Sequence, residues 1–320
     1  MPAQTSVVVP VFNSNATIVE LVEGISSISS SNTLGEIELI LVNDGSSDNV
    51  SQIIQDQIIS NNYDFDIHFI ELSRNFGQKG AILAGWNIAQ GEYIVTIDDD
   101  LQWSPADIPE LISRFSEKID VVYAAPTRQK GVNPFRKISS YLVDKMYQKI
   151  YSSNTPRSSF FAVRNSIARK VTRHESPFLG LPGVISWYTE SIDSIQVNRY
   201  PRKFGSSGHS TPILFKEAMD IFINQSIAPL ISAVWLGFIF SAIGLGLGVF
   251  YTITALINET EVPGWASIFV SISLFSSVIL FILGLMSEYI GRMHISIVGK
   301  PQFSISKSVS NIDGDTFAKE

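Results

Sequence analysis

The sequence predicts an α/β domain with a mostly parallel sheet, followed by two transmembrane helices. In the N-terminal half, short β-branched runs alternate with stretches of helical spacing. This alternation is typical of a parallel sheet with helices on both faces. Two long uncharged apolar segments come later in the chain, and each exceeds the ~20 residues that cross a bilayer.

The predicted strands are compact apolar runs of the length that buried strands adopt. They are Val7–Val11, Ile37–Val42, Ile67–Leu72, Tyr93–Ile97 and Val121–Ala124. Helices are predicted between them from apolar residues at helical spacing, an acidic cap at Asp48 and a proline in a first turn. They are Asn13–Ser30, Asp48–Ile59, Gly77–Ala89 and Pro105–Lys118.

The apolar segments are predicted to form a transmembrane hairpin. No charged residue occurs from Ile221 to Asn258, a range that includes the first span, Pro229–Leu256. The second uncharged segment is Pro263–Ser287. A buried core helix can be equally apolar, but two such lengths in succession argue against a soluble core.

The charges around the hairpin predict its orientation. The linker contains Glu259 and Glu261 and neither lysine nor arginine. The basic residues lie outside the pair, at Arg202, Lys203, Lys216, Arg292 and Lys300. Cytoplasmic flanks are enriched in basic residues. We therefore expect a multi-pass protein of the inner, or cytoplasmic, membrane with its large domain in the cytoplasm.

Four parts are expected along the chain. Residues 1–212 form the large domain, 213–228 a juxtamembrane amphipathic helix, 229–290 the hairpin and 291–320 a cytoplasmic tail. The juxtamembrane helix could lie along the membrane surface or pack on the large domain, and both remain open. The tail is polar from Ser304 onward, so we expect it to be loosely ordered.

Composition excludes several classes of function. The formal net charge is −7, which argues against a nucleic-acid-binding protein, because such proteins present a basic stripe. The chain has no cysteine. Disulfides and thiolate metal sites are therefore excluded.

The strongest chemical signal is the acidic run Asp98-Asp99-Asp100, which directly follows the fourth predicted strand. Ligands bind beyond the carboxyl ends of strands in open parallel sheets. Clustered carboxylates repel one another, and their hard oxygens suit Mg²⁺ or Mn²⁺. An acidic turn or helix cap is the alternative. The metal interpretation is favoured because such an ion could neutralise a leaving diphosphate.

Polar, turn-prone clusters follow the other strands as well. Asp44 comes after the second strand and could bind a base or ribose, or it could form an Asx turn that caps the next helix. Pro10 is expected to end the pairing of the first strand, and Asn13 could bind ligand or cap the following helix. The third strand is followed by the run from Ser73 to Gly80. Because four successive strand ends carry such clusters, we expect them to line one site.

At this point the sequence resembles a known family. The runs VVVPVFN, LVNDGSSD, LSRNFGQKGA and TIDDDLQ are similar to those of family 2 glycosyltransferases. The paired apolar segments, with SEYIGRMH directly after, resemble the polyprenyl-phosphate branch. That branch includes dolichol-phosphate mannose synthases and undecaprenyl-phosphate glucosyl- or aminoarabinosyltransferases.

The resemblance implies a Rossmann-like GT-A fold, a divalent ion and inversion at the anomeric carbon. It implies that the nucleotide-sugar is held by Pro10, Phe12, Asn13, Asp44, Lys79, Asp98 and Asp99. It implies a metal set of Asp98, Asp100 and Gln102, and a catalytic set of Asp98, Asp100, Arg128 and Arg202.

The acceptor side departs from the family pattern. The run from Arg202 to Ser207 resembles an R-x-x-G-x-S loop that closes over phosphates, but Gly208 and His209 replace the usual lysine. A second family arginine falls on Phe161. The expected acceptor-phosphate residues are Arg128, Arg157, Arg164, Arg202, Lys203 and Ser207. Arg202 and Lys203 could also form a basic patch attracted to anionic lipid.

The resulting expectation is an enzyme that transfers a hexose, with UDP-glucose favoured as donor, to undecaprenyl or another polyprenyl phosphate. A homo-oligomer is also expected. One alternative is transfer to a saccharide hydroxyl, which needs a general base, and Glu190 is the nearest acidic candidate. Another alternative is a non-catalytic membrane scaffold or a component of sugar-lipid transport.

Overall fold

A computed structural model of the chain describes residues 4–30, 34–61, 63–127, 156, 158–174, 180–203, 228–257, 264–299 and 301–311. The chain divides into two units. The first consists of Met1–Leu214 together with Pro301–Glu320, and the second is Phe215–Lys300.

The first unit is built on an eight-stranded sheet in the order β7-β5-β6-β4-β1-β2-β3-β8. The strands are β1 Thr5–Val11, β2 Ile37–Asn43, β3 Asp66–Leu72, β4 Tyr93–Thr96, β5 Val121–Pro126, β6 Phe161–Arg164, β7 Ile192–Val197 and β8 Ile305–Ser310. Strands β1 to β4 pair in parallel, as do β5 and β7. Strand β6 is antiparallel to β4 and β5, and β8 is antiparallel to β3. The predicted α/β class is confirmed, with a mixed sheet.

Helices cover both faces of this sheet. They are α1 Ile18–Ser29, α2 Val50–Ile53, α3 Gln78–Ile88, α4 Ile108–Ser113, α5 Asn165–Thr172 and α6 Leu181–Ser186. Helix α1 packs into the core on one face, whereas α3, α5 and α6 pack into the core on the other. Helix α2 continues as a π-helix over Ile54–Ile59, where a regular α-helix was predicted.

The end of β1 differs from the prediction for Pro10. Pro10 is buried and stays in register with Val42 of β2. The Val8 carbonyl accepts the Ile97 amide and therefore faces β4. Successive residues of a strand direct their backbone groups to opposite neighbouring strands. Pro10 lies two residues after Val8 and therefore also faces β4. Pairing with β4 has already ended at Val8, and the missing amide hydrogen of Pro10 breaks no ladder bond.

The C-terminal tail also differs from the prediction, because part of it is the edge strand β8 and not a loosely ordered segment. Strand β8 pairs with β3 from His68 to Leu72. Asn311 extends the contact, because its side chain accepts the Ile67 amide at 2.8 Å and donates to the Phe65 carbonyl at 3.2 Å. The tail of the chain thus completes the sheet of the first unit.

The second unit contains helices α7 Ala228–Ile257 and α8 Trp265–Val298. Both include a segment long and apolar enough to cross a membrane, Leu230–Phe250 and Leu274–Val298. Their apolar side chains are largely exposed. A Cβ atom added at Gly244 would lie 3.0 Å from the Phe275 ring, so this glycine seats the neighbouring helix.

Helix α8 does not end at Ser287, where the uncharged segment ends. It continues to Val298, and Glu288 and Arg292 form an i,i+4 ion pair at 2.7 Å that stabilises this part of the helix. Of the predicted juxtamembrane helix, residues 213–228, residues 213–227 lie outside the described residues, and Ala228 is the first residue of α7.

Candidate functional site

The carboxyl ends of β1 to β4 meet at one edge of the sheet, because these strands are parallel and adjacent. The polar clusters predicted at these four ends are brought together there, and hydrogen bonds connect each loop with the next. The four clusters therefore lie together, as predicted, and their role as one ligand site stays a prediction.

Asn13 joins the loop after β1 to the loop after β2. Its side-chain oxygen accepts the Ser47 amide at 2.8 Å, and its backbone amide donates to Ser46 Oγ at 3.0 Å. Its φ of 53° is a left-handed conformation, which asparagine tolerates better than most residues. Asn13 is therefore engaged with the neighbouring loop and does not cap α1.

Asp44 joins the loop after β2 to the loop after β3. This buried carboxylate accepts the Phe76 amide at 2.6 Å. Burial raises the pKa of Asp44, and the backbone amides of Phe76 and Gly77 oppose the rise. The local Asx turn is made by Asn43, whose side chain accepts the Ser46 amide at 3.0 Å. Asp44 is thus directed across the site and not into its own turn.

Asp98 is held from two sides. Gln78 Nε2 at the start of α3 donates to its Oδ1 at 2.5 Å, and the Ser159 hydroxyl donates to its Oδ2. Burial raises the pKa of Asp98 to about 6, the Ser159 hydrogen bond opposes this, and the charges of Asp100 and Asp99 add to it. The neighbouring Asp99 accepts the Phe12 amide at 2.9 Å, which ties β1 to β4. Burial raises the pKa of Asp99 as well.

Asp100 lies at a strained turn. The following residue, Leu101, has a φ of 57°, a conformation that costs a non-glycine residue on the order of 1–3 kcal/mol. Asp100 Oδ1 accepts the Gln102 amide at 3.1 Å. The next helical turn is capped by Ser104, which accepts the Ala106 amide. The acidic run therefore forms a turn of its own without capping that helix.

Two arginines from the segment after β7 lie against this acidic turn. Arg202 donates from Nε and Nη2 to Asp100 Oδ2 at 3.0 and 2.8 Å. Arg199 donates to Gln102 Oε1 at 2.6 Å. Lys203, predicted beside them, pairs instead with Glu20 of α1 at 2.5 Å. The site thus combines clustered carboxylates with two arginine side chains, which suits the binding of a charged diphosphate.

Arg164 lies at the other end of the sheet. It ends β6, which runs antiparallel to β4, and pairs with Tyr93 at the start of β4. Its guanidinium donates to the carbonyls of Ile119 and Ser116 at 3.1 and 2.5 Å and pairs with Glu92 at 3.3 Å. The expectation that Arg164 holds an acceptor phosphate at this site is wrong, because the antiparallel direction of β6 carries it away from Asp98.

Lys79 follows Gln78 at the start of α3. Burial lowers its pKa to about 8. Burial lowers the pKa of His174, which follows α5 in the chain, and the positive charge of Lys79 lowers it further. The assignment of Lys79 to the nucleotide-sugar stays a prediction. Arg128, Arg157 and Ser207 lie outside the described residues.

Three site residues were missed by the sequence analysis: Gln78, Ser159 and Arg199. Gln78 lies within the quoted run LSRNFGQKGA, so a signal was available. Ser159 becomes adjacent to Asp98 only because β6 pairs antiparallel with β4, in the register Thr96↔Phe161. Sequence spacing gives no indication of that contact.

The donor atoms of the site fit a hard divalent cation. Asp98, Asp100 and Gln102 offer carboxylate and amide oxygens, which such ions prefer. Among the described residues, no group of three or more His, Cys, Asp or Glu could hold a metal by itself. Mg²⁺ is usually bound by one or two carboxylates together with substrate phosphates. The residues therefore fit an ion whose coordination a diphosphate completes.

Glu190 lies near the start of β7, at the opposite ends of the strands from the acidic turn. It precedes β7, whose first residue Ile192 pairs in parallel with Val121 at the start of β5. The adjacent Ser191 carbonyl accepts the Asp120 amide at 2.9 Å. Glu190 is thus separated from the acidic turn by the length of the sheet.

A family model for glycosyl transferase family 2 matches residues 6–173. An uncharacterized glycosyltransferase of Bacillus subtilis, YkcC, is 31% identical over 309 residues, covering 95% of this chain and 94% of that protein. An undecaprenyl-phosphate 4-deoxy-4-formamido-L-arabinose transferase of Proteus mirabilis is 30% identical over 311 residues, covering 96% and 94%.

Among solved structures, the chain is similar to glucosyl-3-phosphoglycerate synthase of Mycobacterium tuberculosis in complex with Mn²⁺ and UDP-glucose. The TM-score is 0.47 with 16% identity, and the match covers 69% of this chain and 77% of that one.

Proposed function

The chain belongs to glycosyl transferase family 2, and we propose that it transfers a sugar from a nucleotide-sugar to the phosphate of a polyprenyl lipid. One observation carries this proposal: a hydrogen-bonded site at one edge of the sheet holds Asp44, Asp98 and Asp100 together with Arg202. The full-length similarity to an undecaprenyl-phosphate sugar transferase, apolar helices included, supports a lipid acceptor.

The chemistry of a phosphate acceptor suits this site. A phosphate monoester has a second pKa near ~6, so it is largely dianionic at neutral pH. An acceptor oxygen can attack the anomeric carbon without a strong general base, while the bond from that carbon to the nucleotide diphosphate breaks. No proton has to move. Attack from the opposite face gives inversion.

The charges that this reaction needs are supplied by residues of the acidic turn and its partners. A divalent ion held by Asp98, Asp100 and Gln102 would stabilise the departing diphosphate. Arg202 lies next to Asp100 and can bind a phosphate oxygen bidentately. Positioning and charge neutralisation are expected to supply most of the rate.

The nucleotide is proposed to occupy the neighbouring loops. Phe12 is 49% exposed at the end of β1 and can contact a base. Asn13 and Asp44 hold the loops on either side of it. We favour a UDP-hexose, with UDP-glucose as the first donor to test, and Mg²⁺ or Mn²⁺ as the ion.

The membrane orientation is part of this proposal. The basic residues outside the two apolar helices and the acidic linker between them favour a cytoplasmic site. That placement gives the enzyme access to cytoplasmic nucleotide-sugars and to a lipid phosphate in the inner leaflet.

The direct test is turnover by purified full-length protein in detergent with Mg²⁺, undecaprenyl phosphate and a panel of labelled nucleotide-sugars. We expect transfer to the lipid, its loss in Asp100→Ala and its retention in Glu190→Ala. Transfer only to an added saccharide, with loss in Glu190→Ala, would instead favour a hydroxyl acceptor. Absence of turnover with every donor and acceptor would favour a scaffold or transport component.

A further inference from the structure

The C-terminal segment Pro301–Asn311 reaches the loop that connects Asp44 with Asp98. Its far end is anchored at the start of β3, where Asn311 exchanges three hydrogen bonds with Ile67 and Phe65. Between the ends, β8 continues the sheet beside β3, and Ser306 Oγ donates to the Glu71 carbonyl at 3.0 Å.

The near end of this segment contacts both ends of the loop from Ser73 to Gly80. The Ser73 amide donates to the Ser304 carbonyl at 2.8 Å. At Gly80, an added Cβ atom would lie 2.7 Å from the Gln302 carbonyl oxygen. The backbone of Gln302 therefore rests directly on the first turn of α3.

Side chains hold this near end in place. Gln302 Nε2 donates to the His174 carbonyl at 2.5 Å. Phe303 and Ile305 pack against the same core cluster as Phe76 of the loop. The Gln302 hydrogen bond and the pairing of β8 with β3 thus fix the segment to the domain through contacts outside the loop.

The loop itself binds two carboxylates of the candidate site. Its Phe76 amide donates to Asp44 at 2.6 Å, and Gln78 Nε2 donates to Asp98 at 2.5 Å. These residues lie between Ser73 and Gly80, the two points that residues 302–304 contact. A displacement of residues 302–304 would therefore move both donors.

We propose that Gln302 is a positioning residue of the nucleotide-sugar site: with Phe303 and Ser304, it holds the Ser73–Gly80 loop so that its donors stay on Asp44 and Asp98. This inference rests on the proposed function, because it assumes that these carboxylates serve a bound nucleotide. The segment that follows the apolar helices in the chain thereby supports the donor site without touching the donor.

Gln302→Ala tests the inference, and Asn311→Ala is its matched control at the opposite end of the same segment. Gln302 Oε1 is buried without a hydrogen-bond partner among the described residues. In Gln302→Ala, removal of this unpaired oxygen therefore offsets part of the free-energy cost of losing the Nε2 hydrogen bond. Gln302→Met, which keeps the length of the side chain and removes the donor, is the second variant.

The readouts are the Kd for UDP in the presence of Mn²⁺, measured on full-length protein in detergent, and the steady-state constants. We expect both Gln302 variants to raise the Kd and the donor KM about three- to tenfold, as the loss of one supporting hydrogen bond would. The kcat should change less than about twofold, since only donor binding is weakened. Asn311→Ala should lower the melting temperature and leave the Kd unchanged.

Two failures are distinguishable. If neither UDP nor GDP binds the wild-type protein with Mn²⁺, the proposed function fails. If the wild type binds nucleotide and the Gln302 variants bind it as tightly as Asn311→Ala does, the proposed function stands and the positioning role of Gln302 is overturned.

Discussion

Arg202 donates two hydrogen bonds, from Nε at 3.0 Å and from Nη2 at 2.8 Å, to a single oxygen of Asp100. The Asp100 side chain is 13% exposed, whereas that of Arg202 is 41% exposed. The more exposed cation thus neutralises the more buried carboxylate from its solvent side. A bound dication and diphosphate would offer new partners to both groups, and we expect Arg202 to move from carboxylate to phosphate.

Replacement of Arg202 tests this role. Arg202→Ala is expected to lower kcat/KM about 10²–10³-fold, the effect of removing one donor that stabilises transition-state charge. Lys170→Ala is the control, because Lys170 is an exposed cation on α5 outside the site. Equal activity of Arg202→Ala and Lys170→Ala would exclude a catalytic role for Arg202.

Arg164 is expected to contribute to stability and not to acceptor binding. Arg164→Ala removes hydrogen bonds to the Ile119 and Ser116 carbonyls and the ion pairs with Glu92 and Asp120. The Ser116 carbonyl keeps the Ile119 amide as a partner. We expect a loss of about 2–3 kcal/mol in the free energy of unfolding, seen as a lower melting temperature. The KM for polyprenyl phosphate should not change. A raised acceptor KM with an unchanged melting temperature would restore its predicted acceptor role.

Gly45 cannot be replaced without cost. Its φ is 68°, and an added Cβ would lie 2.7 Å from the Asn75 amide nitrogen. Gly45→Ala is therefore expected to destabilise the protein by more than ~1 kcal/mol, through strain and through displacement of the loop after β3. Gly180→Ala is the control, since its φ is −63° and its nearest contact is Pro182 at 3.8 Å. Equal melting temperatures of the two variants would contradict this explanation.

The lowered pKa of Lys79 leads us to expect that the stability of the protein depends on pH. Burial lowers the pKa of this lysine to about 8, below the ~10.4 of an exposed lysine. Between these values the unfolded chain binds more protons, so stability should rise with pH and level off once the lysine is neutral in both states. Below pH 8 the folded protein bears the full cost of the buried charge. The pKa of His174, the nearby titratable group, is lowered, so its proton is already lost in this window.

Lys79→Met should remove this rise. At pH 7 the variant is expected to be more stable than the wild type by about 1–2 kcal/mol, after allowance for solvent screening. Melting temperatures in detergent between pH 7 and pH 10 measure the difference. An identical pH profile for the two proteins would show that Lys79 is not the responsible group.

The sequence predicted the part of the fold that is strongly patterned. Strands β1 and β2 are buried on both faces, and β3 and β4 largely so, which favours apolar runs. The shared direction of the four strands brings Asp44 and Asp98 together. Strand β8 was missed because its sequence, ISKSVS, is polar and forms an edge with one neighbour. Strand β6 has only four residues, too few for a periodic signal.

Site residues that directly follow a predicted strand could be identified from the sequence. Site residues that come from distant parts of the chain could not. Asp100 was identified from its place after β4, and Gln102 from the family resemblance. The contact of Ser159 with Asp98 depends on an antiparallel pairing, and that of Arg199 with Gln102 bridges 97 positions. The expected homo-oligomer and the membrane orientation remain predictions.

The central claim is that Asp98 and Asp100 bind a divalent ion together with a nucleotide diphosphate. Electron paramagnetic resonance of Mn²⁺ added to the full-length protein, with and without UDP, tests it most directly. We expect UDP-dependent binding of Mn²⁺ to the wild type and to Glu190→Gln, and an affinity at least about tenfold weaker in Asp98→Asn/Asp100→Asn. If the double variant binds Mn²⁺ and UDP as tightly as the wild type, the account is contradicted.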